Sequence, residues 1–130
     1  MNIEIKTLEK HSDQRGLLLE ILKDTQITED IKQVYFSISK PGAVRGNHYH
    51  NRKIEWVSVV KGTAKIIYED IITKSKEEMI LSDIEPMVVK IDPHISHAIQ
   101  NIGEDDMFLI VVASEVFDPK DPDTYRSNLT

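Results

Sequence analysis

The chain has 130 residues, no cysteine and a formal net charge of −6. That length suits one domain with a single core, the missing thiols exclude disulfides, Fe–S clusters and cysteine nucleophiles, and the acidic balance argues against a nucleic-acid partner. No apolar run reaches membrane-spanning length and residues 1–20 lack a signal-type apolar segment, so no membrane partner is expected and cytoplasm is the default compartment.

In chain order, Ile3-Glu4-Ile5-Lys6 alternates apolar and charged residues and predicts a half-buried strand. Ser12 to Gly16 predicts a turn and Leu17 to Leu22 a second strand. The polar run Asp24 to Asp30 predicts a loop or short helical turn. Val34 to Ser39 alternates cleanly until Pro41-Gly42 breaks it. A strand carrying His48-Tyr49-His50 follows, then a polar hairpin loop from Asn51 to Ile54 and a β-rich return strand from Glu55 to Val60. Gly62 stands where the chain must turn and where positive φ is often required.

Thr63 to Tyr68 predicts another strand, and the charged run Glu69 to Met79 a projecting hairpin tip. Met87 to Ile91 and His97 to Ile102 are further strands, with a turn at Gly103 to Asp106. Met107 to Ala113 is continuously apolar and predicts a strand buried on both faces. The tail from Val116 to Thr130 contains Asp118-Pro119 and Asp121-Pro122, which keep it off a central strand and make it a flank over the barrel rim. No helical periodicity reaches three turns. Many short strands separated by turn signals predict an all-β sandwich or barrel.

The chemistry concentrates between Gly42 and Gly62. In a strand, alternate side chains share a face, so His48 and His50 point together and Tyr49 points away. Glu55 opens the return strand beside them. With His97 downstream, three imidazoles and one carboxylate suit a single divalent metal such as Zn, Fe, Mn, Ni or Cu. Between Ile31 and Ile54 there is no Asp or Glu, whereas Lys32, Lys40, Arg45, Arg52 and Lys53 all fall inside. A cationic rim beside the metal site suits an anionic small molecule, such as a phosphorylated one. Lys53, in the hairpin loop, is a candidate base or substrate contact. Trp56 alternates off the Glu55 face and predicts core or interface, and His11 a surface residue.

The pattern Gly42, His48-x-His50, Glu55, Gly62, with His97 and Asn101 following, resembles the two metal-site motifs of the cupin superfamily. The second motif departs from the family, with Asp92 at a proline position and His94 at a glycine position, which makes His94 a turn residue, not a fifth ligand. Asp13-Gln14-Arg15-Gly16-Leu17-Leu18-Leu19-Glu20 resembles a segment of dTDP-4-dehydrorhamnose 3,5-epimerases and sugar 3,4-ketoisomerases. Arg45-Gly46-Asn47-His48-Tyr49-His50 and Phe117 to Tyr125 are similar to the C-terminal cupin domain of capsular-polysaccharide epimerase/reductases.

The resemblance implies a single-domain cupin over 1–130, a double-stranded β-helix or jelly-roll barrel, with 116–130 as a C-terminal flank. It implies an isomerase that acts on a nucleotide-diphosphate 4-keto sugar by removing a proton next to the carbonyl, in surface-polysaccharide synthesis. The alternatives are a 3,4-ketoisomerase and a metal-dependent dioxygenase-type cupin. His48, His50, Glu55 and His97 would be metal ligands, with zinc first and Fe, Mn or Ni as alternatives. His48, Tyr35 and Lys53 are the catalytic candidates, and Arg15, Arg45 and Asn47 the substrate contacts. Ligation and base duty compete for His48, because a coordinated nitrogen cannot also accept a proton. No Gly-x-Gly-x-x-Gly segment is present, so no nicotinamide cofactor is expected and any reduction requires a separate reductase. A homodimer is implied by the same resemblance.

Overall fold

The computed structural model describes residues 1, 3–23 and 27–130. Among them are twelve strands and no helix: β1 (Glu4–Thr7), β2 (Glu9–Asp13), β3 (Gly16–Glu20), β4 (Gln33–Ser39), β5 (Val44–Tyr49), β6 (Glu55–Lys61), β7 (Thr63–Asp70), β8 (Lys76–Ser82), β9 (Met87–Ile91), β10 (Ile95–Asn101), β11 (Met107–Ala113) and β12 (Tyr125–Arg126). Two five-stranded antiparallel sheets, in the orders β1-β9-β6-β11-β4 and β12-β5-β10-β7-β8, stand with a separate β2-β3 hairpin. The strand punctuation predicts the all-β architecture, and the jelly roll is the form that the family resemblance implies.

Alternation along each strand builds the core between the sheets. Val57, Val59, Val89, Ile91, Leu109 and Val111 from one sheet meet Ile66, Tyr68, Leu81 and Ile99 from the other. Each fully buried aliphatic side chain contributes about 1.5–3 kcal/mol, so this layer dominates stability. The first sheet is apolar on its other face too, where Trp56, Val88 and Val112 pack with Leu8, Leu19 and Ile21. Trp56 is therefore packed, as its alternation predicts.

That outer layer is incomplete. Phe108 and Ile110 are only half-buried, so β11 is not covered throughout on both faces. On the neighbouring edge strand β4, Val34, Phe36 and Ile38 are 63%, 54% and 47% exposed.

Two further expectations change. The charged run Glu69 to Met79 is mostly strand, because β7 and β8 pair as far as Glu69↔Lys76 and only 71–75 form the turn. Its charges sit on an edge strand, where they protect open backbone groups. The Asp70 carboxylate accepts the amides of Ile72 and Thr73 at 2.9 and 3.2 Å and closes that turn. The exposed strand β2 was not expected. Of the loop expected at Asp24 to Asp30, residues 24–26 lie outside the described residues, and 27–30 carry no regular structure. The tail contributes only the two-residue edge strand β12, against β5.

Candidate active site and metal centre

Strand β5 carries an irregularity that shapes the site. Its pairing with β10 shifts register between His97 and Ala98, so Asn47 is an extra residue, a β-bulge with φ of 57°. Gly46 beside it has φ of 94°, and a Cβ there would lie 2.6 Å from the His97 carbonyl oxygen. Only glycine fits. The bulge brings both His48, opposite His97, and Arg45, opposite Ile99, onto the inner face.

His48, His50, Glu55 and His97 converge there, with one candidate ligand atom from each lying within 4.8 Å of the others. His50, Glu55 and His97 are each 3% exposed. Tyr49 points away and stacks on Tyr125. His94 takes φ of 69° in the turn before β10 and stays outside the cluster.

Hydrogen bonds fix how the rings face inward. The His50 Nδ1–H donates to the Asp123 carbonyl at 2.8 Å, and the His97 Nδ1–H to the Ile95 carbonyl at 3.1 Å. A carbonyl can only accept, so both protons sit on Nδ1. Both Nε2 atoms then face Glu55 Oε1, at 3.0 and 3.4 Å. Neutral rings in that state aim two lone pairs at a carboxylate. Positive charge at that point relieves the repulsion, either as protons on the rings or as a cation between them. Metal-bound histidines usually present this tautomer, with the far N–H donated to a carbonyl. The donor set thus fits a divalent ion.

Tyr35 on β4 donates its hydroxyl to Glu55 Oε2 at 2.6 Å. Burial, then the Glu55 charge, raise its phenol well above the ordinary value. Burial also pushes the Glu55 carboxyl up, but where the rings carry a second proton, Nε2–H donation from His50 and then His97 outweighs it and holds the group well below the usual carboxylate range. His48 is pushed down to about 4 by burial, then by His97 and His50, and is neutral at pH 7.

The remaining candidates divide. Arg45 donates from Nε to Ser39 Oγ and from Nη2 to the Ile38 carbonyl, both at 2.8 Å, and no carboxylate pairs with it among the described residues. Lys53 is 5% exposed, with Nζ 5.8 Å from the centre of the Phe117 ring and no acidic partner among the described residues. Its charge is felt at His48.

Asn47 and Arg15 are not joined to the cluster. The Asn47 side chain donates to Thr130 Oγ1 and accepts from the Leu129 amide, so it holds the tail. Arg15 pairs with Asp13 at the tip of the hairpin, with its side chain 87% exposed. Asn101 is structural: it donates to the carbonyls of Ser39 and Asp105 and accepts from Gly103. His11 pairs with Glu20 on the exposed hairpin. The residues missed are Ser39 and Asp123. The second lies in the Phe117 to Tyr125 segment that carries part of the family resemblance, where the sequence assigns it no role of its own.

A jelly roll with two histidines at the end of one inner strand, a carboxylate on the return strand and a third histidine on the neighbouring strand defines a cupin. Residues 11–125 match the family described as "Polysaccharide biosynthesis C-terminal domain", and the chain belongs to that family. It is 40% identical over 119 residues to the UDP-2-acetamido-2,6-beta-L-arabino-hexul-4-ose reductase of Pseudomonas aeruginosa, covering 92% of this chain and 31% of that protein. The capsular polysaccharide assembling protein CapF of Staphylococcus aureus superposes with a TM-score of 0.73 at 37% identity, over 94% of this chain and 34% of that one. The chain thus spans about a third of the length of these relatives. The dTDP-6-deoxy-D-glucose-3,5-epimerase RmlC of Legionella pneumophila, solved with dTDP-4-keto-L-rhamnose, superposes with a TM-score of 0.80 at 22% identity, over 91% of this chain and 69% of that one; this is a likeness of fold.

Proposed function

We propose that this chain is an isomerase of a nucleotide-linked 4-keto sugar, of the 3-epimerase type, in surface-polysaccharide synthesis. The observation that carries this reading is the convergence of His48, His50, Glu55 and His97, with the Tyr35 phenol on Glu55, Lys53 near enough for its charge to act at His48 and Arg45 on the same inner face, neither cation having an acidic partner among the described residues. Membership of a polysaccharide-biosynthesis family supports it.

In such a reaction the carbonyl acidifies the neighbouring C–H. A base removes the proton, an enolate forms, and a proton returns on the opposite face without net oxidation. The chemistry needs a base, a partner for the enolate charge and a proton donor. Tyr35 keeps its proton across the working pH range and is our donor. Lys53 opposes the enolate charge, and Arg45 grips the diphosphate with its guanidinium.

Zinc is our first choice for the ion held by His48, His50, Glu55 and His97; bound there, it would supply Lewis acidity toward the keto oxygen. Proton abstraction belongs to His48 where its nitrogen is free, and to Lys53 where His48 serves as a ligand.

We further propose one cupin unit over 1–130, with 116–130 as its flank, working in the cytoplasm with a reductase as partner. No helix among the described residues is long and apolar enough to cross a membrane. A homodimer covering the exposed row Val34, Phe36 and Ile38, together with Leu17 and Leu18 of the hairpin, is supported by their exposure.

The test is incubation with UDP- and dTDP-linked 4-keto sugars in heavy water, metal-loaded and metal-free, with mass spectrometry of the sugar. Deuterium is expected at carbon next to the carbonyl, and its incorporation is expected to fall in His48→Ala and Tyr35→Phe. A folded protein that incorporates none in either state refutes the reading.

A further inference from the structure

The tail motif ending in Pro122-Asp123-Thr124-Tyr125 has no role in the chemistry above, yet it reaches the site. Asp123 is 3% exposed, while the residues just before it, 117–122, are all exposed. Its carboxylate accepts three consecutive amides of the turn between β5 and β6: Asn51 on Oδ1 at 3.0 Å, and Arg52 and Lys53 on Oδ2 at 2.9 and 3.0 Å. Its carbonyl accepts the His50 Nδ1–H at 2.8 Å. One residue therefore holds the His50 ring and the backbone of the three residues that follow it. Its φ of 48° turns carboxylate and carbonyl toward the same loop, a conformation that Asp tolerates better than most residues.

The grip has two consequences at the cluster. Donation from Nδ1 leaves the His50 Nε2 lone pair facing inward, 3.0 Å from Glu55 Oε1. The third amide belongs to Lys53, whose ammonium lies over Phe117 of the same tail. The tail thus orients one candidate metal ligand and one candidate catalytic cation together. The loop it clamps lies directly between His50 and Glu55, so its freedom sets the distance between two ligands.

We infer that Asp123 is a positioning residue for the divalent-metal site: it fixes the His50 tautomer and the ligand-bearing turn, and so sets metal affinity from outside the coordination sphere. This rests on the reading of the four-residue cluster as a metal centre. Residues that support metal-binding histidines in this way typically cost about 10–100-fold in affinity when removed.

The test uses the full chain, stripped with chelator, and zinc chloride titrated against a chromophoric competitor. It compares Asp123→Asn, which keeps the positive φ and shape but loses one acceptor oxygen, Asp123→Gly, which removes the carboxylate without steric cost, and Ser127→Ala. Ser127, elsewhere on the tail, pairs with Ser96 of β10, and its side chain makes no hydrogen bond to the four candidate ligands among the described residues. Zinc affinity is expected to fall about 10–100-fold in both Asp123 variants and to stay within about two-fold in Ser127→Ala.

Nitrogen-15 spectra of the imidazoles give a readout independent of metal. Wild-type His50 is expected as the Nδ1–H tautomer, and the Asp123 variants as a mixture. Folded Asp123 variants with unchanged zinc affinity and an unchanged His50 tautomer overturn the inference, as does a wild-type His50 protonated on Nε2 alone. If wild type binds no zinc, the metal-centre reading fails by itself, and the tautomer comparison still decides whether Asp123 positions His50. Should Asp123→Gly not fold, Asp123→Asn decides.

Discussion

Glu55→Gln separates a metal centre from a self-contained cluster of hydrogen bonds. In the metal-free protein, Glu55 Oε1 faces two Nε2 atoms whose rings have already committed their protons to backbone carbonyls. A glutamine keeps an oxygen for the Tyr35 hydroxyl and offers an N–H to the His50 Nε2. With both rings neutral, metal-free Glu55→Gln is therefore expected to be at least as stable as metal-free wild type. Metal reverses the order. Losing a charged ligand costs at least the roughly 100-fold at the upper end of what supporting residues cost. With zinc at about 100 times the wild-type Kd, wild type gains about 2.7 kcal/mol, whereas a variant bound 100-fold more weakly gains about 0.4 kcal/mol. For a domain of this size that is a melting shift of about 10 °C against under about 2 °C. Thermal melts with and without zinc, in a chelator-controlled buffer, read the difference. Equal shifts in both proteins, or no shift in wild type with Zn, Fe, Mn or Ni, would refute the reasoning.

Three other outcomes follow from particular contacts. Tyr35→Phe removes a 2.6 Å hydrogen bond to a buried carboxylate and should cost about 1.5–3 kcal/mol of stability and about 10²–10⁴-fold in turnover; the raised phenol should add no ionisation to an ultraviolet titration at pH 10, and a Tyr35-dependent signal there would contradict its environment. Ser37 Oγ is buried without a hydrogen-bond partner among the described residues, so Ser37→Ala should leave stability unchanged or raise it by up to about 1 kcal/mol in urea denaturation, and a clear loss would reveal a missing partner. Gly46→Ala places a methyl 2.6 Å from the His97 carbonyl at positive φ and should destabilise by over about 2 kcal/mol while abolishing zinc binding, with wild-type melts speaking against the close approach.

The fold was readable because turn residues punctuate alternating strands, and the ligand spacing because it is local: His48, His50 and Glu55 lie within one hairpin. Strand β8 was missed because its charges, which suggest a loop, instead occupy the solvent side of an edge. Arg45 and Asn47 show a deeper limit. Simple alternation from His48 would give them one face, yet the bulge turns Arg45 inward and leaves Asn47 to the tail. A bulge is a property of pairing between two strands and has no signature in either one alone. Asp123 was hidden for another reason: its partners lie 70 to 73 positions away, and a lone Asp among prolines resembles any other turn.

The extra residue in β5 also separates two jobs within one strand. Excising Asn47 would restore even pairing and leave both the imidazoles and Arg45 facing inward, because Arg45 would then stand two positions before His48. What the excision removes is the side chain that ties down Leu129 and Thr130. Loss of a single codon at this spot is thus a route by which the scaffold sheds its C-terminal fastening while the cleft keeps its ligands and its cation.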